Sequence, residues 1–311
     1  MTMFTPIRIG TRESRLAVWQ ATEVQKLLLA GGHHSELVYI KSEGDLDLVT
    51  PLYEIGVQGI FTRSLDFALL NNKIDIAVHS MKDVPTQLPA GIIQAAVLRR
   101  GEVNDLLVIK AGNAFLEDIE YTGHIGTSSI RRRAQWLHRY PRHVIHNLRG
   151  NMQTRLQKLQ TGKWDAAIFA QAGLERIGLR PENSVVLDWM LPAPAQGAIL
   201  IVARKQDEPV LLACKNLNDK DTALCTAIER TFLRGLLGGC STPVSALAEI
   251  KDGRIFFKGN IYSPDGVKKA EIEKDSPLAD SDQIGLRCAE EILENGGREI
   301  NRMIRQQMSA L

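Results

Sequence analysis

The chain has 311 residues, of which 44% are hydrophobic and 24% charged, and its formal net charge is +2 at pH 7. This composition excludes a fibrous, disordered or disulfide-scaffolded protein, and the length predicts two or three domains. The four cysteines lack the C-x-x-C spacing of zinc sites, so we expect no metal and a reducing, cytoplasmic location. No signal peptide precedes the strand-like run at Ile7, and no apolar run approaches the roughly 18 residues that cross a bilayer, so we expect no membrane contact.

The first hundred residues alternate between strand-like and helical patterns. The strand-like patterns lie at 7–10, 37–40 and 74–79, and the helical patterns lie between them at 17–28 and 61–70. Ser14 can cap the first helix, in which Ala17, Ala21, Val24 and Leu28 recur at helical spacing. The βαβαβ order predicts a mostly parallel sheet with helices on its faces.

A second alternation follows Gly101 and ends at the proline-rich stretch 191–195. Its strands are predicted at 106–109, 124–126, 143–148 and 166–170, and its helices at 128–140 and 151–160. A further apolar strand at 198–203 could return to the first lobe. Two crossings of this kind suit a hinged cleft between two lobes.

The remainder of the chain has the pattern of a small α+β unit. A long helix is predicted at 221–237, strands at 244–249, 254–261 and 267–274, and a last helix at 281–295. Asp265-Gly266 marks a hairpin turn. We therefore predict a discontinuous first domain (1–98 with 198–216), a second at 99–197 and a third at 217–311.

Polar residues follow two strands of the first lobe. Arg12 and Ser14 come after the first strand, where α/β sheets bind ligands, and could hold a carboxylate. Lys82 and Asp83 follow the strand at 74–79, and Asp83 is a candidate for proton transfer. The alternatives are a capped helix with a solvated arginine and a loop with a surface ion pair.

An arginine-rich stretch of the second lobe predicts an anion site. Small hydroxyl residues, a glycine and arginines follow two strand ends: Thr127, Ser128, Ser129, Arg131, Arg132, Arg149, Gly150 and Arg155. Helix N-termini, hydroxyls and guanidinium groups together bind carboxylates or phosphates. Solvation alone is a poor explanation of this convergence, so the ligand should carry several negative charges.

Cys240 follows two glycines, which leave its sulfur accessible to a large group. A single cysteine is more often a small buried hydrophobic residue, and that alternative stays open from the pattern alone. Cys214, Cys225 and Cys288 lie on apolar helix faces and are interpreted as structural.

These residues belong to a set of motifs that resembles, in order over nearly the whole chain, the hydroxymethylbilane synthase (porphobilinogen deaminase) family. The motifs are Thr11-Arg12-x-Ser14, Leu16-Ala17-x-Trp19-Gln20, His79-Ser80-Met81-Lys82-Asp83-Val84-Pro85, Gly126-Thr127-Ser128-Ser129-x-Arg131-Arg132, Leu148-Arg149-Gly150-Asn151-x-x-Thr154-Arg155-Leu156, Ala172-Gly173-Leu174-x-Arg176, Gln196-Gly197, Glu229-Arg230 and Gly238-Gly239-Cys240. One such motif would be a weak signal, whereas the ordered set is specific.

The resemblance implies an α/β fold with two lobes like type II periplasmic binding proteins around a cleft, plus a small α+β C-terminal domain. It implies a transferase that condenses four porphobilinogen molecules head to tail, with loss of ammonia, and releases hydroxymethylbilane for tetrapyrrole and heme biosynthesis. The implied cofactor is a dipyrromethane bound to Cys240 by a thioether. The implied partner is this small substrate, with no nucleic acid, and the protein is expected to be a monomer.

The resemblance also assigns roles to single residues. Asp83 matches the catalytic aspartate. Residues expected to bind the carboxylates or to contact substrate and cofactor are Arg12, Ser14, Lys82, Thr127, Ser128, Ser129, Arg131, Arg132, Arg149, Gly150, Arg155, Arg176 and Gln196. Gly56, Gly59 and Phe61 match a lid, in which Gln58 and Ser64 replace a frequent lysine and glutamate; Arg15 replaces a common proline.

Two other classes of protein share part of this pattern. A non-catalytic anion-binding protein of the periplasmic class would need neither Cys240 nor Asp83 and would usually carry an export signal. A nucleic-acid binder would use the basic stretch 131–155 with stacking aromatic residues. Trp136 and Tyr140 are the nearby aromatic residues, and both fit helix-core spacing.

Overall fold

The computed structural model describes residues 5–41, 62–118, 120–236 and 242–309. These residues divide into two compact units. The first unit contains 5–41, 62–101 and 197–224, and the second contains the described residues of 102–196 and 225–309. Within the described ranges, no helix has the length and apolar character needed to cross a membrane.

A five-stranded mixed sheet forms the centre of the first unit. Its strands are β1 (Ile7–Thr11), β2 (Ser35–Tyr39), β3 (Ile76–Ser80), β4 (Ile92–Val97) and β10 (Ile199–Arg204). They lie in the order β2-β1-β3-β10-β4. β1 is parallel to β2 and β3, whereas β10 is antiparallel to β3 and β4. The apolar strand expected at 198–203 therefore lies inside the first sheet. The prediction of a mostly parallel sheet is confirmed for β1, β2 and β3 but is wrong for this returning strand, because it pairs antiparallel with both of its neighbours.

Helices cover this sheet because their apolar residues recur every three or four positions. They are α1 (Arg15–Ala30), α2 (Arg63–Leu70) and α7 (Glu208–Lys215), and α8 (Lys220–Gly235) begins in this unit. In α1 the residues Ala17, Ala21, Val24 and Leu28 are all buried, as their spacing predicts. Burial of a side chain such as Leu28 contributes about 1.5–3 kcal/mol.

The second unit contains another five-stranded mixed sheet. Its strands are β5 (Asp105–Ile109), β6 (His124–Gly126), β7 (Val144–His146), β8 (Ala166–Ala170) and β9 (Ser184–Leu187). The order is β7-β6-β8-β5-β9, with β6 parallel to β7 and β8, and β5 antiparallel to β8 and β9. The helices are α3 (Ala114–Glu117), α4 (Ile130–Arg139), α5 (Met152–Thr161) and α6 (Gln171–Arg176).

Alternate residues of the second sheet pack into two separate apolar clusters. Leu107, Ile125 and Ile168 pack in a cluster with Trp136, whereas Leu106 packs in a second cluster. Trp136 of α4 is fully buried, and its Nε1–H donates to His143 Nδ1 at 3.1 Å. Its core position agrees with the helical spacing and leaves it inaccessible as a stacking surface.

The second unit also contains a three-stranded antiparallel sheet. It is formed by β11 (Val244–Lys251), β12 (Arg254–Tyr262) and β13 (Lys269–Pro277). The turn between β12 and β13 contains Gly266 with φ +78°, and a Cβ there would lie 2.5 Å from Ala134 O of α4. The hairpin expected at Asp265-Gly266 is present, and glycine is required because the turn approaches the α4 backbone.

The C-terminal helix differs from the sequence expectation. Instead of a single last helix at 281–295, a 3-10 segment (Leu278–Gln283) leads into α9 (Ile284–Ile292), and α10 (Arg298–Ser309) follows. Gly296 has φ +99°, which ends the helical path before α10 begins. The predicted end of the helix at 295 agrees with the turn at Gly296, whereas α10 was not predicted.

Candidate active site

The carboxyl ends of β1 and β3 bring four of the expected site residues to one edge of the first sheet. Arg12 and Ser14 follow β1, and Lys82 and Asp83 follow β3, which runs parallel to it. Ser14 caps α1 by accepting a hydrogen bond from Ala17 N at 3.4 Å. A hydroxyl that accepts at a helix start still has its own O–H to donate, so capping is compatible with ligand binding.

The turn that carries Lys82 and Asp83 is held on several sides. The residues Met81–Asp83 form one 3-10 turn, and Met81 is 2% exposed, with its N–H donating to Ala198 O at 3.0 Å. Buried Gln20 of α1 donates through Nε2 to Ser80 Oγ at 2.9 Å. The sequence placed Gln20 only in a matching motif; the structure assigns it this anchoring contact.

The parallel strands β6, β7 and β8 bring a second group of expected residues to one edge of the second sheet. Thr127, Ser128 and Ser129 follow β6, Arg149 and Gly150 follow β7, and Arg176 ends the helix after β8. Arg149 is 4% exposed, and burial lowers the pKa of Arg176 below its ordinary value. Buried positive charge of this kind is stabilised by an anion.

The hydroxyl residues at this edge shape the backbone. Ser129 caps α4 by accepting from Arg132 N at 3.4 Å, and Thr127 Oγ1 accepts from Ser129 N at 3.2 Å. Ser128 Oγ accepts from Leu148 N at 2.9 Å, which ties the end of β6 to the segment after β7. These contacts explain why small hydroxyl residues lie at the start of α4.

Gly150 opens the segment that precedes α5. Its φ is +112°, and a Cβ would lie 2.8 Å from the Thr154 side chain. The Arg155 Nε–H donates to Gly150 O at 2.7 Å, while Asn151 Oδ1 caps α5 by accepting from Thr154 N at 2.9 Å. The conformation that only glycine adopts readily therefore positions Arg155.

Asp105, which the sequence did not single out, organises this edge. It begins β5 opposite Ala170, at the carboxyl end of β8, and is fully buried. Its Oδ2 accepts from Arg131 Nη2 at 2.6 Å, and its Oδ1 accepts from Arg132 Nη2 at 2.8 Å. Arg132 Nη1 also donates to Ile168 O at 3.0 Å. Both arginines, expected to contact ligand carboxylates, are thus part of an internal ion cluster.

The ion cluster of Asp105, Arg131 and Arg132 retains positive charge, because one carboxylate faces two guanidinium groups. Burial, more than any other cause, lowers the pKa of Arg131 despite Asp105. The buried Arg131 Nε has no hydrogen-bond partner among the described residues. A neighbouring carboxylate would offset both the charge and the unpaired N–H.

Gln196 joins this cluster from a separate loop. Its Nε2 donates to Asp105 Oδ1 at 2.9 Å and to Val103 O at 2.7 Å. The preceding Ala195 has φ +62°, and its N–H donates to Glu229 Oε2 at 2.6 Å. Glu229 lies fully buried on α8 and was recognised only as part of a motif. A buried acid on an otherwise apolar helix face was the signal that could have revealed it.

Four expected residues lie outside the described part of the chain: Cys240, Gly56, Gly59 and Phe61. The other three cysteines, Cys214, Cys225 and Cys288, are buried. Burial, before any charge effect, raises the pKa of Cys214 to about 12 and that of Cys288 to about 11. Thiols held protonated in this way are poor nucleophiles, so neither suits covalent attachment of a ligand.

Two family models match the chain in sequential order. Residues 7–211 match the model described as porphobilinogen deaminase, dipyromethane cofactor binding domain, and residues 223–294 match porphobilinogen deaminase, C-terminal domain. The chain belongs to the porphobilinogen deaminase family. It is therefore a transferase of porphyrin biosynthesis with a dipyrromethane-binding domain.

Several solved structures are similar to this chain at low sequence identity. An ancestral cationic amino acid solute binding protein is 16% identical over 68% of this chain and 87% of its own, with a TM-score of 0.45. The methionine binding protein MetQ is 14% identical over 72% and 94%, with a TM-score of 0.44. The VFT2 domain of Bordetella pertussis BvgS is 12% identical over 68% and 85%, with a TM-score of 0.42.

The porphobilinogen deaminase fold consists here of two mixed α/β sheets and a small C-terminal domain. The residues at the second sheet edge fit the family's cofactor. A dipyrromethane carries an acetate and a propionate on each of its two rings, and this edge holds the net positive ion cluster, the unpaired Arg131 Nε and the buried Arg149. Guanidinium groups are the side chains best suited to carboxylates.

Proposed function

We propose that the protein is a hydroxymethylbilane synthase that adds four porphobilinogen units, head to tail, to a dipyrromethane on Cys240 and releases the tetrapyrrole by hydrolysis. The observation that carries the proposal is the match of both family domains, in order, over residues 7–211 and 223–294. We also propose three domains. The first consists of 1–98 together with 198–216, the second of 99–197 and the third of 217–311.

The proposed chemistry needs no external oxidant or reductant. In each condensation the C–N bond of the substrate's aminomethyl group breaks and ammonia leaves. A C–C bond then forms to the α-carbon of the growing chain, and that carbon loses its proton. When bound, the dipyrromethane supplies the first such α-carbon and remains attached through Cys240.

Asp83 is proposed as the catalytic residue at the edge of the first sheet. Loss of ammonia leaves positive charge on the pyrrole, and a carboxylate beside it stabilises that charge and can take up the proton. The support for this role is the anchoring of its turn through Met81 and Ser80, which fixes the backbone that carries Asp83. Arg12, Ser14 and Lys82 are proposed to bind the substrate's acetate and propionate groups.

The edge of the second sheet is proposed to bind the carboxylates that accumulate as the chain grows. Each condensation adds two, so the demand for positive charge rises with each step. The residues proposed for this role are Thr127, Ser128, Ser129, Arg131, Arg132, Arg149, Gly150, Arg155, Arg176 and Gln196. The positive ion cluster at Asp105 supports it, because the cluster draws on three of these side chains. Arg131 and Arg132 then act mainly through the potential they create and through the remaining N–H of Arg131.

The mass of the intact protein under denaturing conditions tests the cofactor and its attachment. We expect an excess over the polypeptide mass equal to two porphobilinogen units less the ammonia lost, and its absence in Cys240→Ser. An unmodified wild-type mass that does not change on incubation with porphobilinogen would refute the proposed function.

Asp83→Asn tests the catalytic role. We expect turnover to fall by about a hundredfold or more, since removal of one transition-state stabilising group typically costs that much, while the cofactor mass is retained. Asp75→Asn is the matched control, because Asp75 lies before β3, at the opposite end of the strand from Asp83. The control should turn over normally at neutral pH; normal turnover in Asp83→Asn would remove that residue from the reaction.

A further inference from the structure

His79 lies at the ligand-binding edge of the first sheet, beside Arg12. It is the penultimate residue of β3, and Gly10 of β1 pairs with Ala77 in the parallel register. Advancing both strands by two residues places Arg12 opposite His79, on the same face of the sheet. Consistent with this placement, Arg12 is the charged group that acts on the imidazole.

The His79 side chain is buried, and one of its ring nitrogens is unpaired within the described part of the chain. It is 7% exposed, and its Nε2 has no partner among the described residues. Successive residues of a strand face opposite sides of the sheet. The His79 side chain therefore points to the opposite face from that of Ser80, whose hydroxyl is hydrogen-bonded to Gln20. Because most buried polar atoms are hydrogen-bonded, an unpaired one at a sheet edge indicates a partner that is absent from the protein itself.

The imidazole is neutral. Burial and, to a smaller extent, the charge of Arg12 lower the pKa of His79 to about 3. A neutral ring carries one N–H, so it adds a donor without adding positive charge to an edge that already contains Arg12 and Lys82. Such a donor suits an anionic oxygen that a guanidinium group already attracts.

We propose that His79 contacts the bound pyrrole, with its Nε2–H donating to an oxygen of the carboxylate that Arg12 binds. The contact adds a directional hydrogen bond to the ion pair between the carboxylate and the Arg12 guanidinium group. It thereby orients the acetate or propionate group. This inference rests on the proposed function, since the ligand is the pyrrole dicarboxylate of that reaction.

Paired variants separate this role from a structural one. His79→Leu removes the donor and the unpaired buried nitrogen at similar volume. We expect the Leu variant to melt at the wild-type temperature or above, and to lose about tenfold in kcat/KM for porphobilinogen, as for the loss of one hydrogen bond to a charged group. His79→Gln, whose Nε2 can replace that of histidine, should recover most of the loss.

His143→Leu is the control for burial. His143 is also 7% exposed, but it accepts a hydrogen bond from Trp136 Nε1 at 3.1 Å. Its replacement should lower the melting temperature and leave kcat/KM unchanged. A His79→Leu variant with the kcat/KM of the wild type would overturn the inference, whereas a wild-type protein without cofactor mass or turnover would overturn the proposed function itself.

A second measurement does not depend on activity or on any substitution at His79. In protein labelled with ¹⁵N-histidine, the Nε2–H tautomer of His79 should predominate when the wild-type protein carries its cofactor, and its signals should differ from those of Cys240→Ser. The Nδ1–H tautomer in the cofactor-bound protein would mean that Nε2 accepts from a pyrrole N–H, which would overturn the proposed contact.

Discussion

At the scale of single residues, the arrangement of the arginines at the edge of the second sheet depends on Asp105. One fully buried carboxylate pairs with both Arg131 and Arg132. A buried carboxylate between two guanidinium groups fixes their direction, because the ion pair is strong only in a favourable geometry. Asp105 is therefore a positioning residue for this edge of the sheet.

Asp105→Asn should destabilise the protein by about 3–5 kcal/mol, since it leaves two buried guanidinium groups without their carboxylate. Urea unfolding measures this change. Asp275→Asn is the control, because Asp275 pairs with Arg254 at the surface, where such a pair contributes about 1 kcal/mol or less. Equal stability losses in the two variants would contradict the buried, organising role of Asp105.

At the scale of elements, three segments of the first sheet meet at Asp75. Arg8 of β1 donates to Asp75 through its backbone N–H at 2.9 Å and through Nη2 at 2.8 Å, and Arg204 of β10 donates through Nη2 at 2.9 Å. Burial alone would raise the pKa of Asp75, but these hydrogen bonds outweigh it and lower the pKa to about 2. The strand that returns late in the sequence is thereby joined to the first strand of the chain.

This lowered pKa predicts a pH dependence of stability. The folded pKa lies below the ordinary value of 3.8, so the contribution is present above pH 3.8 and disappears as the pH falls through 2. It amounts to about 2 kcal/mol, of which roughly half is lost by pH 3. Asp75→Asn should remove this part of the acid sensitivity in urea unfolding at pH 6 and pH 3. If the variant and the wild type lost the same free energy of unfolding between pH 6 and pH 3, Asp75 would titrate at its ordinary pKa.

At the scale of the whole molecule, the formal net charge of +2 conceals a concentration of positive charge in particular places. Arg131, Arg132 and Arg149 are all less than one-tenth exposed. A folded state that holds buried cations is stabilised by an anion that binds it and not the unfolded chain. A resident cofactor with several carboxylates should therefore contribute to stability as well as to catalysis.

Cys240→Ser, which cannot form the thioether, should accordingly melt at a lower temperature than the wild type. Added inorganic phosphate should reduce the difference in melting temperature between the two proteins, because a small anion can replace part of the missing negative charge. Sodium chloride at equal ionic strength is the control for general screening. Identical melting curves for the two proteins would mean that the cofactor makes no net stabilising contact.

The sequence alone determined the alternation of strands and helices in both α/β lobes, the position of most of their elements and the family, but not the antiparallel pairing of β10. Hydrophobic periodicity and helix caps are local signals, and α1 with its cap at Ser14 forms where they predict. The three strands of the antiparallel sheet in the second unit and the turn at Gly266 follow from the same kind of signal. Motifs such as the one that contains Lys82 and Asp83 identified the family, because they occur along the chain in the family's order.

Only the tertiary structure decided which side chains meet. Asp105 precedes Arg131 by 26 residues, and Gln196 follows Asp105 by 91, so no local pattern connects them. The same holds for Glu229, which supports Ala195 across 34 residues. The unpaired nitrogen of His79 is likewise invisible in a motif. Hydrogen bonding of buried groups depends on strand register and loop path, and those are set by the packing of the whole sheet.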